Sequence, residues 1–168
     1  MTLRRFLLGA AAVVTALLLQ GTVIDRLPLP GTAPDLLLLL VVAFALVEGP
    51  VSGVVTGFVA GLLADAGSDH AFGRLALAYV LVGYVVGLAD DERPRSFLVP
   101  YVAVALGTVG AVIVYGVEGL LLGDARVTGG SMLRTASTSA PYAVALTPLV
   151  FPAVRGLVRR VDAEPVRW

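Results

Sequence analysis

Residues 49–65 read GPVSGVVTGFVAGLLAD, a stretch with a glycine at every fourth position. We call Gly49, Gly53, Gly57 and Gly61 the glycine seam, and a second row of small residues runs beside it at positions 52, 56, 60 and 64. Positions four apart lie on one face of an α-helix. In lipid, small residues on such a face let two helix backbones approach closely. The stretch therefore predicts a membrane helix that packs through its glycines.

The glycine seam allows two interpretations. Gly83 and Gly87 repeat the four-residue spacing on the following helix, so the two helices would pack together inside this chain. The same kind of face would also serve as a surface for another membrane protein. The sequence leaves both interpretations open, since different helices of one chain can serve either purpose.

Composition excludes several classes of protein. Of the 168 residues, 58% are apolar and 14% charged, whereas soluble domains have roughly 45–50% and 25%. Twelve basic and twelve acidic residues balance, so we expect no nucleic-acid partner, which would require a clustered basic excess. The chain has no Cys, which excludes disulfides, thiolate metal sites and cysteine nucleophiles. Its partner is instead the lipid bilayer.

Apolar runs separated by polar islands predict an all-α fold, a six-helix transmembrane bundle in one domain over residues 1–168. The first run has 19 residues, which nearly matches a hydrocarbon core of roughly 30 Å. The second and third runs are short, and the polar segment 123–139 is predicted to be a loop that lies partly on the membrane surface. The predicted helices cover residues 6–24, 36–48, 51–64, 75–89, 96–122 and 140–158.

The second and third runs meet at Gly49 and Pro50. They form either one long helix kinked at the proline or two short helices joined by a tight turn. One helix over residues 36–64 would be about 43 Å long, which exceeds the hydrocarbon core. It would also place Glu48 near the bilayer centre, at a cost of roughly 2.5–3.5 kcal/mol. We therefore favour the turn.

Arginines are distributed unequally between the two sides of a six-span bundle. The side that holds both termini collects eight arginines and the other side four. Because positively charged short loops stay in the cytoplasm, both termini are predicted to be cytoplasmic. The eight are Arg4, Arg5, Arg93, Arg95, Arg155, Arg159, Arg160 and Arg167, and the four are Arg26, Arg74, Arg126 and Arg134.

Asp65 and Glu118 are the acids closest to the hydrocarbon, and together they form a candidate intramembrane polar site because an unpaired charge there is costly. Each also has an ordinary explanation. Asp65 would be solvated at a helix end or paired with Arg74. Glu118 would accept a hydrogen bond from Tyr115 or reach water near Gly123.

Residues for catalysis and metal binding are scarce. His70 is the only histidine, and a triad or a metal site needs several partners that converge in space. The period-four glycines do not follow a strand, so they do not predict a phosphate-binding loop. The charged cluster at 90–95 is typical of a solvated turn. We therefore predict no enzymatic activity, no metal and no cofactor.

Three motifs resemble one known family. The first is Pro34-Asp35 before a short apolar helix, the second is Gly57-Phe58-x-x-Gly61-Leu62-Leu63-x-Asp65, and the third is Phe72-Gly73-x-x-Ala76-Leu77. In this order they resemble MreD, the rod shape-determining membrane protein. Glu118 lies where that family often has an acid, and Pro148, Phe151 and Pro152 are similar to its closing helix, whereas Gly119 departs from its commonest pattern.

The resemblance implies a non-enzymatic component of the cell-elongation machinery in the bacterial inner membrane. Such a protein supports peptidoglycan synthesis by binding the bitopic partner MreC. Through MreC it is linked to the glycan polymerase RodA, a class B penicillin-binding protein and MreB filaments. A homo-oligomer is compatible with the same resemblance. The family is also similar in helix layout to the substrate-binding components of energy-coupling-factor vitamin transporters.

Two functional hypotheses follow. In the leading one the chain is a scaffold whose small-residue faces pack internally and against a partner helix. In the second the chain is a small-molecule binding or transport subunit, motivated by the helix layout and by Asp65, Glu118 and the short helices that would line a cavity. An intramembrane enzyme would need a nucleophile with a base or a metal set, and the sequence shows neither.

Overall fold

The computed structural model describes residues 3–68, 72–89 and 96–162, and this part of the chain holds six α-helices and no β-strand. The all-α prediction and the number of helices are confirmed. A single 3₁₀ turn, Ile24–Arg26, follows the first helix. The helices are α1 Leu3–Thr22, α2 Leu36–Glu48, α3 Pro50–Ala66, α4 Arg74–Leu88, α5 Val99–Leu121 and α6 Gly129–Asp162.

Helix α2 is the centre of the bundle. Ten consecutive residues, from Leu37 to Leu46, are buried, and α2 contacts all five of the other helices. A helix that is apolar on every side has no surface to offer to water, so it lies inside the protein. With 13 residues it is about 20 Å long. The other helices are therefore arranged around a short apolar core.

The start of α2 is held by side chains from three parts of the chain. The Asp35 carboxylate accepts a hydrogen bond from the backbone N–H of Leu38 at 3.0 Å, which is the arrangement of an N-cap. Gln20 adds a second cap, because its Oε1 accepts from Leu36 N at 2.9 Å while its Nε2 donates to the Pro34 carbonyl at 3.2 Å. The Tyr79 hydroxyl also donates to Asp35. Helix α4 thereby fixes the loop that precedes α2.

The chain turns between α2 and α3 at Gly49, as the sequence favoured over a kinked single helix. Gly49 has a φ of 88°, a conformation that side chains disfavour and glycine tolerates. Pro50 occupies the first position of α3, where its missing N–H costs nothing. Across the turn, the Ser52 hydroxyl donates to Glu48 at 2.5 Å. The carboxylate of Glu48, the last residue of α2, is therefore hydrogen-bonded to the first turn of α3.

The prediction for the last helix was wrong at its start. Helix α6 begins at Gly129 and not at residue 140, so most of the polar segment expected to be a loop is helical. Thr128 and Ser131 cap it reciprocally, because each backbone N–H donates to the other side chain, at 2.9 and 3.2 Å. The hydroxyls of Thr138 and Ser139 donate to carbonyls four residues earlier. Their polarity is therefore satisfied within the helix.

Three helices are long and apolar enough to cross a membrane, namely α1, α5 and α6. Helices α2, α3 and α4 are shorter apolar helices of 13, 17 and 15 residues. The start of α1 and the end of α6 lie at the same end of the bundle, since Arg5 and Leu157 line one small pocket with Glu48. The first residues of α1 and the last residues of α6 are therefore on one side of the bundle. The assignment of that side to the cytoplasm stays a prediction.

Candidate functional site

The glycine seam lies against α4. A Cβ atom added at Gly53, Gly57 or Gly61 would come within 3 Å of α4 backbone atoms, a separation that real Cβ atoms essentially never show. The atom met at Gly57 belongs to the carbonyl of Tyr79, and the atom met at Gly61 is the Cα of Ala76. The two helices therefore touch backbone to backbone, which only glycine permits at these positions.

Helix α4 contributes glycines to the same contact. Gly83 lies against the backbone of Gly53, and Gly87 lies against Pro50 at the turn. The seam is thus internal packing within this chain, one of the two interpretations left open by the sequence. Phe58, from the same motif, points away from the contact and is 53% exposed. A partner helix would have to contact a different face.

Asp65, the acid at the end of α3, is only 2% exposed. Its carboxylate accepts hydrogen bonds from three backbone N–H groups at the start of α4, those of Gly73 at 2.9 Å and of Leu75 and Ala76 at 3.2 Å. The first turn of a helix has unsatisfied N–H groups and a positive dipole end, so a carboxylate is favoured there. Asp65 therefore caps the neighbouring helix, and it ties the two helices together at the end of the glycine seam.

Arg74, at the start of α4, is buried, with 5% of its surface exposed. Its guanidinium forms an ion pair with Asp124 at 3.0 Å, donates to the Tyr115 carbonyl at 3.2 Å and stacks over the Tyr115 ring at 4.0 Å. A Cβ at position 119 would meet Arg74 Nη2 at 2.6 Å, so Gly119 provides room for the guanidinium. The hydrogen bond from Arg74 holds the pKa of the Asp124 carboxyl below its usual value.

Glu118, on α5, contrasts with Asp65. Both of its carboxylate oxygens are buried, and neither has a hydrogen-bond partner in the described part of the chain. The same is true of Arg74 Nε. Glu118 therefore forms no hydrogen bond with Asp65, and the candidate pair does not form one bonded site. Burying an ionised carboxylate without a partner is costly, and Glu118 lacks, among the described residues, the kind of hydrogen bonds that stabilise Asp65.

A cavity of about 360 Å³ lies where α2, α4 and α6 begin and α5 ends. The bonded pair of Asp35 and Tyr79 lines it, while Asp65 and Glu118 do not. Sequence reasoning identified Asp35 but not Tyr79, which is 44 positions away and carries no motif. The other polar side chains that line the cavity are Thr32, Thr108, Tyr115, Asp124, Arg126, Ser131, Thr135 and Ser139.

A second concave surface, which we call the α4–α5 groove, has a volume of about 490 Å³. Its walls are almost wholly apolar, and some of them are strongly exposed, with Val85 at 63% and Leu106 at 66%. Gly107 and Gly110 also line it. A Cβ added at Gly110 would meet only Val82 Cγ2, at an ordinary 3.8 Å. The glycine at this position is therefore not needed for packing among the residues that the structure describes.

Metal-binding clusters are absent from the described residues, in which no three His, Asp or Glu side chains come together. His70 and the charged cluster at 90–95 lie outside that part of the chain.

The comparison with family models decides which family this chain belongs to. The model for rod shape-determining protein MreD matches residues 1–161, nearly the whole chain. The chain belongs to the MreD family. It is therefore a rod shape-determining membrane protein, of a family defined by a structural role and not known for catalysis. No curated protein and no solved structure gives a significant match, so the likeness to energy-coupling-factor components is not confirmed.

Proposed function

We propose that this MreD-family chain binds the transmembrane helix of MreC in the α4–α5 groove, and that this contact supports cell-shape control and peptidoglycan synthesis. The groove is the observation that carries the proposal. It is apolar and faces outward, so lipid or another helix must cover it. Gly110 would let a second backbone approach closely, which is how helices associate in lipid.

We choose this groove because two other candidate surfaces, one of small residues and one apolar, are already covered by helices of this chain. The glycine seam is filled by α4, and α2 is surrounded by the other helices. Gly110 is different, because nothing in the described part of the chain requires a glycine there. A glycine that the fold does not need is available for a partner. The scaffold hypothesis therefore applies to α5 and not to α3.

The test is a substitution that fills the groove without disturbing the fold. Gly110→Leu places a branched side chain in the groove, where only Val82 is near. We expect co-purification with MreC in mild detergent to fall at least tenfold, which corresponds to about 1.4 kcal/mol or more of lost binding energy. The thermal stability of the purified chain should stay close to that of the wild type.

Gly21→Leu is the matched control. Gly21 is an exposed glycine of α1, and an added Cβ meets nothing within 4 Å. This variant should keep the complex intact. A complex that survives Gly110→Leu unchanged would show that MreC binds elsewhere. Substitutions at Gly57 or Gly61 cannot replace this test, because they would damage the chain itself.

The cellular role can be tested with the same variants. We expect depletion of the chain to give rounded cells and wild-type expression to restore rods. Gly110→Leu should fail to restore rods while Gly21→Leu succeeds, since only the first removes the proposed contact with MreC. The links to RodA, the class B penicillin-binding protein and MreB would follow through MreC. Restoration of rods by Gly110→Leu would argue against the groove as the functional contact.

Small-molecule binding is the second candidate, and the cavity of about 360 Å³ favours it. That volume is in the range of ligand sites, roughly 300–1,000 Å³, and the Asp35–Tyr79 pair offers a polar contact in it. A bound ligand should remain through purification and be detected by mass spectrometry. Thr135→Phe, which would fill the cavity from α6, should abolish its retention. A metabolite screen in which wild type and variant retain the same compounds would exclude this function.

A further inference from the structure

A third concave surface lies between the start of α5 and the end of α6, at the end of the bundle opposite the cavity of about 360 Å³. We call it the α5–α6 cleft, and its volume is about 800 Å³. It is independent of the α4–α5 groove and of the MreC proposal. Its lining residues are Val47, Ser96, Phe97, Pro100, Tyr101, Thr147, Pro148, Phe151, Pro152, Arg155, Val158 and Arg159.

The α6 wall of this cleft changes character along the helix. The lining positions 148, 151, 155 and 159 are three or four residues apart, so they share one helix face. Pro148 and Phe151 give that face an apolar part. Arg155 and Arg159 give it a basic part nearer the end of the helix, which we call the mouth of the cleft. The cleft therefore has an apolar stretch next to a positively charged mouth.

The α5 wall complements this pattern. Phe97 and Tyr101 lie one turn apart, with ring centroids 5.2 Å apart and planes inclined by 51°. The amphipathic ring of a tyrosine such as Tyr101 is favoured at the boundary between hydrocarbon and water. Ser96, before the first turn of α5, adds a hydroxyl near the mouth. Tyr101 thus supports a mouth that lies at the level of the lipid headgroups.

Arg155 and Arg159 are both exposed. Neither guanidinium has a hydrogen bond or an ion pair within the described part of the chain. One helical turn separates them, roughly 6 Å, so both can reach the same anionic group. Arginine binds phosphate through two parallel N–H donors. Two free arginines above an apolar wall therefore match a ligand with a phosphate head and an apolar tail.

We propose that the α5–α6 cleft binds an anionic membrane phospholipid, with its phosphate between Arg155 and Arg159 and an acyl chain along Pro148 and Phe151. Basic pockets between transmembrane helices recognise anionic headgroups in this way. Charge complementarity selects the occupant, because a zwitterionic lipid brings a cation next to the two guanidiniums. The predicted cytoplasmic position of this end agrees, since the cytoplasmic leaflet carries anionic lipid.

Binding can be measured on the purified full-length chain by native mass spectrometry, with phosphatidylglycerol or phosphatidylcholine added in detergent. We expect the wild type to retain one phosphatidylglycerol more tightly than any phosphatidylcholine. Each arginine near an anionic lipid contributes a factor of about five. Arg159→Gln should therefore weaken retention about fivefold, and the double variant Arg155→Gln/Arg159→Gln about twenty-five-fold.

Arg160→Gln is the matched control. Arg160 lies next to Arg159 at the same depth of α6 but does not line the cleft, and its loss removes the same charge. It should leave retention within about twofold of the wild type, because only the general attraction between a positive charge and anionic lipid is lost. Equal weakening by Arg159→Gln and Arg160→Gln would overturn the proposal, because a general basic surface would then explain the binding. Equal retention of the two lipids would overturn it as well.

A third arm separates the lipid from a soluble anion. Inorganic phosphate at millimolar concentration, without lipid, should not raise the thermal stability of the chain, whereas phosphatidylglycerol should raise it. Stabilisation by phosphate alone to the same extent would assign the arginines to a free anion and contradict the acyl-chain contact. The double variant should unfold at the wild-type temperature when lipid is absent, since its arginines are exposed.

Discussion

The α3–α4 pair and helix α5 use the same residue types for opposite purposes. On α3, glycines at positions 53, 57 and 61 are covered by the backbone of α4. On α5, Gly110 lines a groove that no part of the described chain covers. A glycine row in a membrane helix therefore does not by itself distinguish internal packing from a partner surface. What distinguishes them is whether a Cβ would collide with the chain's own backbone.

The two acids show the same contrast. Asp65 receives three backbone hydrogen bonds from the start of α4, whereas the oxygens of Glu118 have no hydrogen-bond partner among the described residues. A helix N-terminus offers free N–H donors in its first turn, whereas the last turn of a helix, where Glu118 lies, offers free carbonyl acceptors instead. Contacts within the α3–α4 pair thus satisfy the carboxylate of Asp65, while the carboxylate of Glu118 on α5 has no hydrogen-bond partner in the part of the chain that the structure describes.

The largest expected effect is at the closed seam. Gly61→Ala adds a Cβ that would collide with the backbone of Ala76, and backbone atoms cannot move aside as a flexible side chain can. We expect the free energy of unfolding in detergent to fall by about 3 kcal/mol. Gly110→Ala is the matched control and should leave stability unchanged or slightly higher, because alanine favours helix. Equal stability of the two variants would mean that the seam is not tight.

Next in size is the loss of the Asp65 cap. Asp65→Ala leaves three backbone N–H groups at the start of α4 without their acceptor. Buried donors left unpaired cost about 1–3 kcal/mol, and we expect a destabilisation of about 2 kcal/mol by chemical unfolding in detergent. Asp65→Asn keeps one acceptor oxygen and should lie between wild type and Asp65→Ala. A full loss with Asn would show that charge, and not hydrogen bonding, holds the helix.

Glu118 should respond in the opposite direction. Glu118→Gln removes the charge of a buried carboxylate that has no hydrogen-bond partner in the described chain, and it keeps the shape of the side chain. We expect stability to rise by about 1 kcal/mol, measured in the same unfolding experiment as Asp65→Asn. The opposite signs of these two amide substitutions would support the contrast between the regions. A loss of stability with Glu118→Gln would show that the carboxylate is paired in the membrane.

The smallest effect concerns pH. The pKa of the Asp124 carboxyl lies below its usual 3.8, chiefly because Arg74 donates to it. The ion pair therefore stabilises the fold fully above about pH 4, and this contribution is lost as the pH falls through the lowered pKa. The melting temperature should decrease in that acid range, and Asp124→Asn should show a smaller decrease. Identical acid profiles for the two proteins would show that the pair contributes nothing measurable.

Local signals predicted several elements well. Asp35 and Gly49 have short-range roles, a helix cap and a tight turn, which depend on residues within a few positions. The predicted start of α6 was wrong because polar residues indicate a segment outside the hydrocarbon core but do not exclude an α-helix. Residues 129–139 are largely polar and are still helical. The reciprocal cap at Thr128 and Ser131 was present in the sequence as a helix-start signal. Thr128, a residue type favoured at helix N-caps, lies next to the observed start of α6, about eleven residues before the predicted one.

The sequence by itself determined that the chain is helical, is a membrane protein and belongs to the MreD family. Apolar run lengths, small-residue periodicity and local motifs each depend only on residues that are close together in sequence. Only the tertiary structure decided which glycines are covered, that Asp65 caps α4 and that Glu118 lacks a hydrogen-bond partner among the described residues. The physical reason is that burial and hydrogen bonding depend on groups distant in sequence. Asp35 and Tyr79, 44 positions apart, meet only once the helices pack.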